Sequence, residues 1–222
     1  MASLSKVWAG VAAAGSSKEN DGTTSWEPGA QREVDDNKGS DAALSVMSKS
    51  FFRKWPGVLG SSKWKTPDYV ISAVAETIAA TLSDGDVFAD LGCGDGRVIA
   101  AVAARCPGVR CMGYEINPDV ARQAEETMNA TGAVSVEIIC KSAYTADFTT
   151  MSAVYIYSNR RGLYQLRPLL ERLRPPENKL LILYMTDLAP PRSLPGAVRS
   201  VVWCQDANNA LNKTPVYIYA WK

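Results

Sequence analysis

Histidine is absent from all 222 residues, which removes the commonest general base and the commonest metal ligand together. Any chemistry here proceeds without imidazole. Cys93, Cys106, Cys111, Cys140 and Cys204 form an odd set with no CxxC spacing. That pattern argues against a disulfide framework or a zinc site and suits thiols in a reducing compartment, so no metal is expected. Neither sign of charge is in excess: 24 Lys and Arg against 23 Asp and Glu leave +1. There is accordingly no strong signal for nucleic acid, and any acidic partner must be read from a local patch. No apolar run approaches the roughly 18 residues that a bilayer span needs, so a soluble, intracellular chain is expected.

What is present is a chain 46% hydrophobic and 21% charged, enough for one well-buried core with an appendage. Residues 1–48 are rich in Ala, Gly, Ser, Asp and Lys without periodicity, and read as a disordered tail that cannot bury enough apolar surface to offset ordering. Its first 18 residues carry Lys6 and Lys18 and no acid, leaving an organelle-targeting reading beside that of a plain tail. Compartment is thus open between mitochondrial and cytoplasmic. Residues 49–65, KSFFRKWPGVLGSSKWK, interleave Lys49, Arg53, Lys54, Lys63 and Lys65 with Phe51, Phe52, Trp55 and Trp64 and contain no acid. This is a basic, aromatic arm, either a lid packed on the domain or a contact for an acidic or membrane-embedded partner.

From residue 66 to 222 the pattern becomes regular. Thr66 and Pro67 read as N-cap and first helical residue, with Val70, Val74 and Ile78 at helical spacing before the Asp84-Gly85 turn. Strand DVFADLG, helix GRVIAAVAARC, strand RCMGYEI and helix PDVARQAEETMNA follow, the last capped by Asn117-Pro118 and closed by Gly132. VSVEIIC, MSAVYIYS and KLLILYM read as further strands, with helix GLYQLRPLLERL between the last two. This alternation predicts an α/β fold, a Rossmann-like, doubly wound and mostly parallel sheet. SVVWCQD and PVYIYAW, with no helix signal between them, should close it as a C-terminal antiparallel hairpin.

The turn after the first strand, DLGCGDGR, places Gly92, Gly94 and Gly96 on alternate positions. In such sheets ligands lie beyond the carboxyl ends of the strands, where the first βα turn approaches them with its backbone. The spacing is GxGxG rather than the dinucleotide GxGxxG, and no GK[ST] follows, so a pyrophosphate is disfavoured. Glu115, ending the second strand, stands where a carboxylate accepts both hydroxyls of a ribose. A nucleoside without a pyrophosphate fits these residues.

DLGCGDGR followed by GYEINP resembles the seven-stranded S-adenosylmethionine-dependent methyltransferases. FFRKWPG, KTPDYV, LGCGDGR and GYEINP together are similar to the small protein-lysine methyltransferases of the adenine nucleotide translocase and ATP synthase c-subunit type and their microbial relatives. The resemblance covers about residues 51–190 and implies S-adenosyl-L-methionine as cofactor. It implies that Asp90 and the loop of Gly92, Cys93, Gly94, Asp95 and Gly96 hold the methionyl end, with Thr66 from the lead-in segment. Glu115 would hold the ribose, with Ile116 on the adenine and Asn117 beside it. Ser142, Ala143 and Tyr144 follow the third strand, Ser142 standing where the class often has an acidic residue. After the fourth strand YIYSNRR replaces the Asn/Asp-Pro-Pro-Tyr motif of many amine methylators, which disfavours an adenine N6-methylase. The resemblance implies a protein lysine as acceptor, on a partner that can be membrane-associated.

A sulfonium methyl is already activated, so the protein's task is to hold a neutral nucleophile in line. Tyr157, chosen over Tyr155 as nearer the strand end, is the candidate catalytic contact together with Ser158 and Asn159. A small-molecule methyltransferase would share every cofactor residue. An RNA methyltransferase would need a basic face, for which Arg160, Arg161, Arg167, Arg172 and Arg174 are candidates. A scaffold that binds cofactor without catalysis is the remaining alternative.

Overall fold

The computed structural model describes residues 65–159, 163–164, 166, 168, 170–173, 179–184, 188 and 194–221. The expected tail, the arm up to Trp64 and most of the arginines after the fourth strand lie outside these residues. All described residues belong to the unit Lys54–Lys222.

The elements follow the expected alternation: α1 (Asp68–Thr81), β1 (Val87–Leu91), α2 (Arg97–Arg105), β2 (Arg110–Tyr114), α3 (Pro118–Thr131), β3 (Val136–Ile139), β4 (Ala153–Tyr157), β5 (Leu180–Tyr184), β6 (Val198–Asp206) and β7 (Asn209–Ala220). Between β4 and β5, residues 163–164, 166, 168 and 170 are helical, as GLYQLRPLLERL suggested. The strands form one seven-stranded sheet in the order β3-β2-β1-β4-β5-β7-β6. β1 to β5 are mutually parallel, and β7 runs antiparallel to both β5 and β6. The C-terminal hairpin therefore inserts its second strand next to β5 and leaves β6 at the edge.

Period-two alternation along the strands divides the apolar side chains between two faces. On one, Phe88 of β1, Tyr155 of β4 and Ile182 of β5 pack with Val74 and Ile78 of α1, Ile99 of α2 and Met128 of α3. On the other, Ala89, Leu91, Val154 and Leu181 pack with Phe148, Leu163, Leu170 and Tyr219. With both faces covered, β4 and β5 read as nearly continuous apolar runs.

One cap differs from the sequence reading. The N-cap of α1 is Pro67, whose carbonyl accepts from the N–H of Val70 and Ile71 (2.9 and 3.0 Å), and it makes no side-chain cap. The Thr66 hydroxyl, buried, is used elsewhere: it lies 3.1 Å from the Tyr155 hydroxyl. A long-range partner outcompetes the local cap. At α3 the expectation holds, with the Asn117 side chain accepting from the Asp119 N–H and Gly132 closing the helix in a left-handed conformation.

The amino ends of the strands are tied by Asp86. Its carboxylate accepts from the Ser83 N–H (2.8 Å), the Ser152 hydroxyl (2.9 Å) and Lys179 Nζ (2.7 Å), joining the starts of β1, β4 and β5. Burial alone would raise its pKa, yet these hydrogen bonds and the Lys179 charge hold it below the ordinary value. Asp86→Ala should cost about 2 kcal/mol in urea unfolding while leaving ligand affinity at the far end of the sheet unchanged. Wild-type stability in this variant would show that the network is incidental.

Candidate functional site

At the carboxyl end of β1 the chain must reverse into α2 within a few residues. Gly92 and Cys93 donate their N–H groups to the Tyr114 carbonyl at the end of β2 (2.8 and 3.0 Å), pinning the turn to the neighbouring strand. The glycines of this turn divide by role. A side chain at Gly92 or Gly94 would enter open space, although both backbones sit at positive φ (95° and 56°). At Gly96 (φ 80°) a Cβ would meet Met128 Cε at 3.0 Å and the Ala124 Cβ at 3.2 Å. The first two leave backbone bare toward solvent, whereas the third allows α3 to pack closely against the start of α2.

Glu115 joins this turn to the next. Its Oε2 accepts from the Gly94 N–H (3.2 Å) and its Oε1 from the Asn117 N–H (2.8 Å), and the residue is buried. A carboxylate has about four lone-pair sites, so two remain after the backbone bonds. Asp90, also buried, lies level with Gly113 on one side and Tyr155 on the other. Burial, then the charges of Glu115 and Asp95, push its pKa up to about 8. Cys93 is also buried, and burial, then the charges of Asp90, Glu115 and Asp95, push its thiol pKa upward, which disfavours the thiolate.

The lead-in segment is strapped onto the turn. Arg97 donates from Nη2 to the Thr66 carbonyl (2.9 Å) and from Nη1 to Asp68 (3.0 Å), with Nε 3.4 Å from Asp95. Lys65 Nζ reaches Asp95 at 2.6 Å. Burial tends to raise the Asp95 pKa, but the hydrogen bond from Lys65 and the Arg97 charge bring it below the ordinary value.

The remaining expected residues fall around the same rim. Ile116 and Asn117 are half-buried after β2. Ser142 caps a short turn over Ala143–Thr145, its hydroxyl accepting from the Tyr144 N–H at 3.3 Å. Tyr157 ends β4 half-buried. Ser158 follows it, its N–H donating to the Tyr184 carbonyl (3.4 Å) and its hydroxyl to the Asn159 carbonyl (3.1 Å). The Asn159 carbonyl in turn accepts from the Leu163 N–H, so it opens the following helix.

Sequence reading did not single out Arg97, Tyr69, Tyr184 or Thr214. The Tyr157 and Tyr184 rings meet across β4 and β5 with centroids 4.6 Å apart at 46°. The Tyr69 hydroxyl lies 3.1 Å from that of Thr214. Only the aromatic endings of both central strands hinted at this cluster. Among the described residues no group of His, Cys, Asp and Glu is arranged to hold a metal ion.

Residues 90–183, which include the turn, Glu115 and β4, match the ANTKMT methyltransferase domain family. The protein is a methyltransferase. The methyltransferase is 28% identical over 117 residues to a protein-lysine N-methyltransferase of Saccharolobus islandicus (strain REY15A), covering 52% of this chain and 71% of the relative. Its structure is similar to that of an RNA methyltransferase from Salinibacter ruber in complex with S-adenosyl-L-homocysteine (27% identity, TM-score 0.55, 71% and 92% of the two chains). It also shares its fold with a precorrin-6y C5,15-methyltransferase from Geobacter metallireducens GS-15 (20% identity, TM-score 0.58, 75% and 95% covered).

The raised Asp90 pKa has a measurable consequence in the free methyltransferase. Folded, Asp90 binds its proton up to about pH 8, whereas an unfolded aspartate releases it near 3.9. Between those values the folded state holds more protons, so this group's contribution to stability falls as pH rises. Asp90→Asn should raise the melting temperature at pH 8 relative to wild type and flatten the decline between pH 6 and 8. Parallel pH profiles for the two proteins would remove the acidic cluster from the account.

Proposed function

We propose that the chain is a protein-lysine N-methyltransferase using S-adenosyl-L-methionine, and that the sequence-read residues at the rim hold its two substrates. The observation that carries the acceptor class is the match to the ANTKMT domain over residues 90–183, joined by the protein-lysine N-methyltransferase relative. The cofactor suits the residues present. Asp90 is raised first by burial and then by the charges of Glu115 and Asp95, and a ligand bearing a sulfonium and an ammonium would favour its carboxylate form and ease the crowding. The Salinibacter ruber neighbour, which was solved with S-adenosyl-L-homocysteine, has the same fold.

In this reading Asp90 and the bare backbone at Gly92 and Gly94 hold the methionyl end. The free lone pairs of Glu115 take the ribose hydroxyls, and Ile116 lies against the adenine. Ser142 to Tyr144 border the base from β3. Bound cofactor supplies a methyl whose transfer to the amine lone pair leaves the S–C electrons on sulfur. The protein's part is orientation and removal of water. A lysine amine, ordinary pKa about 10.4, becomes easier to deprotonate when partly desolvated beside the Tyr157 ring and the β4 terminus. Lys65, last residue of the basic arm, already bonds Asp95. This supports an arm whose near end closes on the cofactor turn and whose far end meets the acceptor. Among the described residues no helix is long and apolar enough to cross a membrane. We place the enzyme as a soluble protein of the mitochondrion or cytoplasm.

Incubating the full chain with radiolabelled S-adenosylmethionine and a proteome extract should label bands that protease removes and RNase leaves. Label lost to RNase would favour an RNA acceptor, and label confined to small molecules would refute the protein reading.

A further inference from the structure

Beyond the glycine turn, the α1 face of the sheet carries a row of hydroxyl groups toward β7. Tyr155, Tyr157 and Tyr184 belong to or pack on the same core cluster, with Tyr69 of α1 beside them. Tyr157 and Tyr184 are direct cross-strand partners, and Tyr184 pairs in turn with Val216, two residues from Thr214. Tyr69 and Thr214 touch through their hydroxyls. Side-chain groups acting on Tyr184 are Tyr157, Tyr69, Cys204 and a hydrogen bond with Thr214; burial comes first and pushes its pKa up to about 12. Every one of these groups is uncharged at neutral pH.

We propose that Tyr184 and Thr214 determine which acceptor is used and how far it is methylated, forming with Tyr157 and Tyr69 an uncharged aromatic seat for a primary alkylamine. This rests on the protein-lysine reading above. The seat begins at the carboxyl end of β4, the strand next to β1 and Asp90, and extends across β5 to β7.

The absence of a carboxylate among these four side chains has a chemical purpose. An acid in contact would hold the amine as ammonium, whose nitrogen has no lone pair to attack a methyl. Phenol rings attract the cation as it arrives, and hydroxyl oxygens accept its N–H groups without fixing the charge. Tyr157 is half-buried and its ring neighbour Tyr184 is buried. In this seat the amine lies beside the Tyr157 ring, and the Tyr184 and Thr214 hydroxyls bound it on the β5 and β7 side. Each methyl transfer forms an N–C bond as the S–C bond breaks with its electrons going to sulfur, releases one proton to water and removes one N–H that these oxygens could accept. Recognition consequently weakens step by step along the series from amine to trimethylated product.

Tyr184→Phe keeps the ring and deletes the hydroxyl. In the full chain it should leave S-adenosylmethionine affinity within twofold of wild type and raise KM for the protease-sensitive acceptor at least fivefold. By mass spectrometry it should change the ratio of mono-, di- and trimethylated lysine, which a purely structural role would not do. Thr214→Val, cutting only the rim hydroxyl, should shift that ratio in the same direction and serves where Tyr184→Phe does not fold. Wild-type KM and product ratio in both variants, on a protein acceptor the wild type labels, would overturn the seat and leave the lysine reading standing. If the wild type labels no protein, the lysine reading fails and the occupant proposed for the seat fails with it.

Discussion

Much of the site depends on one carboxylate, Glu115, bonded to two backbone N–H groups from two different βα turns. Gly94 belongs to the turn after β1 and Asn117 to the turn after β2. With both bonds in place, the spacing between the glycine turn and the start of α3 is fixed by a buried charge-assisted pair. Any ligand laid along the carboxyl ends of β1 and β2 meets a rim already set, and little ordering remains to be done on binding. Gly96 supports the arrangement from behind: lacking a Cβ, it lets Ala124 and Met128 of α3 approach the start of α2.

The electrostatics around this rim are unbalanced in one direction only. Asp95 is answered by Lys65 and Arg97, whereas burial and two neighbouring acids destabilise the charge on Asp90. The strap of cations therefore lies on the outer side of the turn, and the inner side retains carboxylates. The charge distribution suits a cationic ligand. It also couples the lead-in segment to the turn, because Arg97 holds the Thr66 carbonyl while the Thr66 hydroxyl meets Tyr155 beside Asp90.

The glycine turn and its acids were legible in the sequence because their determinants are local. Glycine spacing after an apolar strand, an acid at that strand's end and another closing the next strand are read within about thirty residues. The parallel sheet followed from the alternation, and the antiparallel closing hairpin from the missing helix signal between the last two strands. The Thr66 cap failed for the opposite reason: its hydroxyl pairs with a residue 89 positions away, and no local rule contains that partner. The tyrosine and threonine hydroxyl cluster suffers most from this. Tyr69 and Thr214 are 145 positions apart, and Tyr184 gains meaning only once β5 lies between β4 and β7. Arg97 stood inside the quoted motif, yet its three partners lie in the turn and the lead-in segment together.

The most direct test is calorimetric titration of S-adenosylmethionine into wild-type and Glu115→Ala protein, with thermal unfolding measured on both. If Glu115 orders the two turns and accepts the ribose, the variant should remain folded and lose about 2–3 kcal/mol of binding, roughly 30- to 150-fold in affinity. Unchanged affinity in a folded variant would contradict the account at its base.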